Sequence, residues 1–172
     1  LCHNLHDGRS PDTVAPFCRV APGCVQGTHT ASPCQRVPAM IDYSDFFEEV
    51  IQTHVEIEQW FAGVAPEGTL ETLLARFSPE FSMVAPATGT RVNAAGVKAL
   101  FTRLGGMRPG LKITLSEMAG IDRHARGATV TYREHQVDDS GTQTDRRATV
   151  VFEKQASGAL LWRHLHETFI KA

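Results

Sequence analysis

The sequence predicts an α+β domain, with helices gathered toward its N-terminal side and a mostly antiparallel sheet completing the chain. Three observations carry that expectation. Apolar positions recur at intervals of three and four across residues 42–61, the period of a helix with one buried face. Three long runs of strand-forming residues, 128–137, 142–154 and 160–169, follow one another near the end of the chain. Only Asp138-Asp139-Ser140-Gly141 and Ala156-Ser157-Gly158 separate them, and strands joined by such short turns pair antiparallel.

In the first helix, Phe47, Val50, Ile51, His54, Ile57 and Phe61 form the expected buried stripe. Ser44 is the expected N-cap, and Asp45, Glu48 and Glu49 place negative charge in the first turn, where the helix dipole favours it by about 0.3–1 kcal/mol each. Gly63, Pro66 and Gly68 end that pattern. A short helix is expected over 70–76, stopped by Ser78-Pro79. Residues 81–86 read as a short strand that turns through Ala87-Thr88-Gly89 toward Arg91 and Val92. Asn93 then caps a third helix, 94–104, which Gly105-Gly106 closes. Leu111, Ile113 and Leu115 alternate with Lys112, Thr114 and Ser116, giving a half-buried strand that runs on toward Met118 or Ile121. Together with the three closing runs this makes a four-strand meander, and helices segregated on one face of such a sheet define the α+β class.

A chain of 172 residues has room for one domain with a substantial core. Its formal net charge of -2, with 42% hydrophobic and 21% charged residues, gives no general attraction to nucleic acid or to an anionic membrane. No apolar run approaches the roughly 18–20 residues of a membrane helix, so a cytoplasmic protein is expected. All four cysteines, Cys2, Cys18, Cys24 and Cys34, fall in residues 1–39 together with five of the nine prolines, Pro11, Pro16, Pro22, Pro33 and Pro38. That segment shows no helix or strand period and too little apolar surface to offset its ordering entropy, so it is expected to be a disordered or non-native leader ahead of a domain at 40–172. His3, His6 and His29 stand among the cysteines, yet no Cys-x-x-Cys or His-x-x-x-His pair supports a zinc site there.

The element order resembles the nuclear transport factor 2-like superfamily. So do Tyr132-Arg133-Glu134-His135-Gln136, Arg146-Arg147-Ala148-Thr149-Val150-Val151-Phe152 and Trp162-Arg163-His164-Leu165-His166-Glu167-Thr168-Phe169. The resemblance is to its bacterial branch of small domains near the SnoaL-like polyketide cyclases, and it covers residues 41–172. It implies a curved sheet forming a cone around a cavity, three helices closing that cavity, and commonly a homodimer. Members include isomerases, cyclases and dehydratases of small organic molecules as well as non-catalytic assembly modules, so fold leaves function open.

The site expectation depends on strand register. A two-residue loop at Ser140-Gly141 would pair Asp139 with Thr142, Glu134 with Arg147 and Tyr132 with Thr149; a two-residue loop at Ser157-Gly158 would pair His166 with Thr149 and His164 with Val151. One face would then carry Tyr132, Glu134, Gln136, Arg147, Thr149, Trp162, His164, His166 and Thr168. A three-residue loop or a bulge would reshuffle these faces. With the polar face inward, His166 or Glu134 is the expected general base and Tyr132 the donor to a developing oxyanion. Arg147, His164, Gln136, Trp162, His54 and Trp60 are expected to bind the substrate. Ketosteroid isomerase, a superfamily member, divides base and oxyanion roles among a phenol and carboxyls in this way, although its carboxylate positions match no motif here. The plain alternative is structural: Glu134 and Arg147 as a cross-strand ion pair, the histidines as structural or dimer-surface residues, and His54, Trp60 and Phe61 as core. Glu167 falls on the face opposite His166. The motifs imply no cofactor and no metal: nucleophile elbow and phosphate loop are both missing, and His164 with His166 lacks a third ligand. The expected partner is a small organic ligand; the competing reading is a dimeric, non-catalytic module.

Overall fold

The structure, a computed structural model, describes residues 40–171. The expectations for the leader therefore lie outside the described residues. The elements run α1 (Ser44–Ala62), α2 (Thr69–Ala75), β1 (Phe77–Val84), β2 (Arg91–Asn93), α3 (Ala94–Leu104), β3 (Lys112–His124), β4 (Gly127–Val137), β5 (Gln143–Lys154) and β6 (Leu160–Phe169). They form three helices and one unclosed six-stranded sheet in the order β2-β1-β6-β5-β4-β3. Every pairing is antiparallel except that of β1 with β6. Strands β3 to β6 are the expected meander, and β1 pairs with β2 as the turn through Gly89 requires. Among these residues no helix is long and apolar enough to cross a membrane.

Local departures from the sequence reading have identifiable causes. Ser44 is the first residue of α1 rather than its cap, and its backbone N–H donates to the Asp42 carboxylate at 2.9 Å. The buried stripe of α1 is Phe46, Val50, Thr53, His54 and Phe61, rotated from the expected one so that Ile51 faces out. β1 begins earlier than expected because Pro79 sits where the chain is irregular: its register against β6 shifts between Phe77 and Ser82, which spares the missing N–H. α3 is capped as its sequence indicates, with the Asn93 side chain accepting from Gly96 N–H at 3.0 Å.

The core lies between the helices and one sheet face. Phe46 and Phe61 of α1, Leu73 of α2, Val97 and Phe101 of α3 meet Phe81, Val130, Tyr132, Val150, Phe152 and Trp162 from the strands. Full burial of such side chains contributes about 1.5–3 kcal/mol each. Register shifts in β3, after Ser116 and after Gly120, and in the β5–β6 pair, after Val151, bend the sheet around that core. Gly120 is needed at the bend: a Cβ there would lie 2.3 Å from the Tyr43 ring, which packs on the sheet where α1 begins.

One turn overturns the predicted faces. The β4–β5 connection is longer than two residues: Val137 pairs with Gln143, Gly141 N–H donates to Asp138 O at 2.9 Å, and Gly141 is left-handed at φ 78°. This is a three-residue loop closed by a left-handed glycine. It moves β5 by one residue, so Glu134 faces Arg146 and Tyr132 faces Ala148, where Arg147 and Thr149 were expected. The β5–β6 register agrees with the sequence reading at Thr149–His166, Val151–His164 and Arg147–Thr168, but not through the expected two-residue loop: Gln155 N–H donates to Ala159 O at 2.8 Å across a three-residue loop, and the shift after Val151 restores the register. Because a shift of one reverses a strand's faces, β5 and β6 turn over together relative to β4.

Candidate functional site

A cavity of about 220 Å³ lies between the sheet and the helices. Most of its wall is apolar: Ile57 and Phe61 of α1, Phe77, Phe81 and Met83 of β1, Leu100, Phe101 and Leu104 of α3. A polar strip crosses it, made of His54 from α1, Tyr132, Glu134 and Gln136 from β4, Arg146 from β5, Glu167 from β6 and Arg108 from the loop after α3. Alternation explains the β4 set, since residues 132, 134 and 136 share one face. The shifted register then delivers Arg146 directly opposite Glu134, and Glu167, paired with Ala148, beside it.

The expected site residues divide accordingly. Tyr132, Glu134, Gln136, His54 and Trp162 line the cavity. Trp162 arrives there through the register shift after Val151, which pairs it with Phe152 on the cavity side instead of with the face of His164. His166, His164 and Arg147 are corrected to the outer face, on which His166 is exposed. There His164 Nδ1 meets Ser82 Oγ at 2.9 Å, and burial, with the neighbouring His166, lowers its pKa. Arg147 donates to Glu117 at 2.5 Å, and Glu117 is held at φ 51° in the β3 bulge. Trp60 packs over Gly105 and donates to Phe101 O at 2.8 Å, away from the cavity.

Arg146, Glu167 and Arg108 are the cavity residues that sequence reasoning missed. The signal for the first two was Asp138-x-x-Gly141, the residue pattern of a type I turn with a left-handed closing glycine, from which the one-residue shift follows. Arg108 carries no comparable sequence signal. It reaches the site because its loop docks on α1, where Arg108 N–H donates to Phe61 O at 2.9 Å.

The hydrogen bonds fix several orientations. His54 Nδ1 lies 2.7 Å from Val50 O, and a carbonyl only accepts, so Nδ1 carries a proton. His54 Nε2 then faces both Tyr132 Oη at 3.3 Å and Glu134 Oε2 at 3.5 Å. In neutral His54 it accepts from the phenol; in the imidazolium it donates to the carboxylate. Gln136 donates its amide to Glu134 and accepts from Arg108, whose guanidinium is anchored on Asp138 at 2.8–2.9 Å. Arg146 Nη1 donates to Glu167 Oε1 at 3.3 Å, and its Nε stands 4.0 Å from Glu134 Oε2.

These contacts separate the two carboxyls. Burial pushes Glu134 up, but the hydrogen bond and charge of His54, the Arg146 charge and the Gln136 amide outweigh it and leave the pKa at about 2. Burial also pushes Glu167 up; Arg146 opposes this, the charge on Glu134 adds to it, and the pKa settles at about 7. Burial pulls His54 toward neutrality, yet Glu134 more than compensates and its pKa ends raised. Tyr132 is driven well above the ordinary phenol value by burial and by the charges of Glu134 and Glu167, so it remains a neutral donor. One carboxylate held ionised and one poised near neutrality is the arrangement in which acid and base roles can be divided. Among the described residues no three or more His, Cys, Asp or Glu are gathered to hold a metal ion.

The fold is that of the nuclear transport factor 2-like class, an α+β domain with a curved sheet around a cavity. An NTF-2 like protein of unknown function from Pseudomonas aeruginosa is 39% identical, with TM-score 0.71 over 73% of this chain and 98% of that one. The chain therefore belongs to the nuclear transport factor 2-like family. A candidate dehydratase of that family from Streptomyces avermitilis (16% identity, TM-score 0.59, 76% of this chain and 100% of that one) shares the fold. So does the CaMKII hub homology domain of Chlamydamonas reinhardtii (18% identity, TM-score 0.61, 77% and 100%). No family model matches the sequence, and no curated protein matches it.

Proposed function

We propose that the cavity binds a small, mostly apolar carbonyl compound and carries out cofactor-independent acid–base chemistry on it, of the isomerase, cyclase or lyase kind. One observation carries this reading: Glu134 and Glu167 flank a single guanidinium, Arg146, at the edge of an apolar hollow, and their proton affinities are driven apart. Glu167 is the proton donor and acceptor, since a group with pKa about 7 serves either role at neutral pH. Tyr132 donates to oxygen on which negative charge develops. Glu134, paired with His54, raises that histidine's hold on its proton and orients it, and Gln136 and Trp162 complete the binding wall. The likeness in fold to a candidate dehydratase is compatible with such chemistry.

The test is exchange of the α-protons of cyclohexanone into D2O, followed by NMR. The wild-type protein is expected to accelerate exchange over buffer, E167Q to lose at least about 100-fold of the acceleration, and H166Q to keep it. No acceleration by the wild type across a panel of cyclic ketones, or equal rates in E167Q, would refute acid–base catalysis at this site. The second reading, a non-catalytic module assembling as a homodimer, is favoured by the likeness to the CaMKII hub homology domain. It predicts that H164A and H166A change the sedimentation coefficient.

A further inference from the structure

Arg146 has a donor that no described residue accepts from. Its Nε is buried and has no hydrogen-bond partner among the described residues, and the nearest acidic oxygen, Glu134 Oε2, is 4.0 Å away, too far for a hydrogen bond. Arg108 Nη2 likewise lacks a well-angled acceptor, but it lies 2.8 Å from Asp138 Oδ2, whose charge compensates it. An unmet buried donor is costly, so an acceptor brought in by a ligand recovers that energy. Charge says which acceptor. Arg146 contributes positive charge to the strip, as does His54 when protonated, Glu134 contributes negative charge, and Arg108 is balanced by Asp138. With Glu167 neutral and His54 protonated, the strip holds one positive charge in excess. The groups facing Glu167 are Arg146 from β5, Glu134 and Tyr132 from β4 and His54 from α1.

We propose that the ligand of this cavity is a carboxylate on a small apolar ring, docked on the Arg146 guanidinium, and that its binding draws one proton from the solvent onto Glu167. This deepens the acid–base reading above and rests on the same cavity. Size agrees: a dry cavity of about 150 Å³ accepts benzene, so about 220 Å³ leaves room for a ring with a carboxyl group. The Arg146–carboxylate contact is a charge-assisted hydrogen bond in a largely apolar enclosure. Protonation of Glu167 removes the repulsion between its carboxylate and the incoming one, and it loads the site with its acid form before any proton transfer to the ligand.

The test is calorimetric titration with benzoate and with the neutral isostere benzamide, in phosphate and in Tris so that proton uptake is counted from their different ionisation heats. The wild type is expected to prefer benzoate by at least about tenfold. R146Q should abolish that preference, whereas R147Q, altered on the outer face, should retain it. At about pH 8, above the Glu167 value of about 7, uptake should approach one proton per benzoate, and at about pH 6 it should be small. E167Q should take up clearly less than the wild type at about pH 8, which tests the proposal even if R146Q fails to fold. Equal binding of benzamide, loss of preference in R147Q, or identical proton counts in the wild type and E167Q would overturn the carboxylate proposal and leave the acid–base reading standing. Failure of both compounds to bind at millimolar concentration would overturn the carboxylate proposal, while proton exchange in the cyclic ketones decides the acid–base reading separately.

Discussion

Glu167 makes the stability of this protein fall as pH rises, and replacing it by glutamine removes that dependence. The carboxyl, 7% exposed at its side chain, has a folded-state pKa of about 7 against an ordinary value of 4.5. A raised carboxyl means that the native state holds a proton which the unfolded state has released. The contribution is therefore full below about pH 4.5 and is lost as pH rises through about 7. A difference of two to three pKa units at about 1.4 kcal/mol each gives about 3 kcal/mol across that window. Glutamine copies the shape of the protonated acid and cannot ionise. E167Q should thus gain about 3 kcal/mol relative to the wild type between about pH 4.5 and pH 8, whatever its offset at the acid end. Urea unfolding of both proteins at four pH values across the window measures this, with the midpoint difference multiplied by a common slope. His54, whose pKa is also raised, adds a loss of the same sign above its ordinary value of 6.5 in both proteins, so it largely cancels in the difference. A difference constant to within about 0.5 kcal/mol would show that Glu167 is not protonated in the native cavity at neutral pH.

Other outcomes follow from the same geometry. E134Q should destabilise the fold by about 3 kcal/mol in thermal unfolding at pH 7, because it leaves Arg146 and His54 without their shared buried carboxylate. G141A should cost about 1 kcal/mol from backbone strain alone, since Gly141 has φ 78° and a Cβ there would meet nothing within 4 Å; a neutral G141A would argue against the left-handed turn that sets the β4–β5 register. W162A should cost about 3–5 kcal/mol, because Trp162 is 1% exposed and packs on Phe152 and Phe77; denaturant unfolding measures it.

Legibility varied by element for physical reasons. α3 could be read at both ends, since Asn93 and Gly105-Gly106 are local signals with local causes. The shared face of Tyr132, Glu134 and Gln136 was readable, because alternation within one strand needs no partner, whereas the β5–β6 register came out as expected only because a three-residue turn and the shift after Val151 offset each other. The placement of Arg146 against Arg147 was not. Two adjacent arginines are equivalent until something outside them fixes which one faces in, and here a single left-handed residue, Gly141, decides it. His54 stood on the buried stripe of α1, yet its contact with Tyr132 and Glu134 joins residues about 80 positions apart.

The class of fold, the order of the elements, the meander and the residue types available for acid–base chemistry are all local properties of the chain. These follow from periodicity, capping and turn composition, which act over a few residues. Which ionisable groups share the cavity, and how tightly each holds its proton, depends on strand pairing and packing across the whole domain. Register converts a difference of one residue into a change of face, and burial beside opposite or like charge then sets Glu134 at about 2 and Glu167 at about 7.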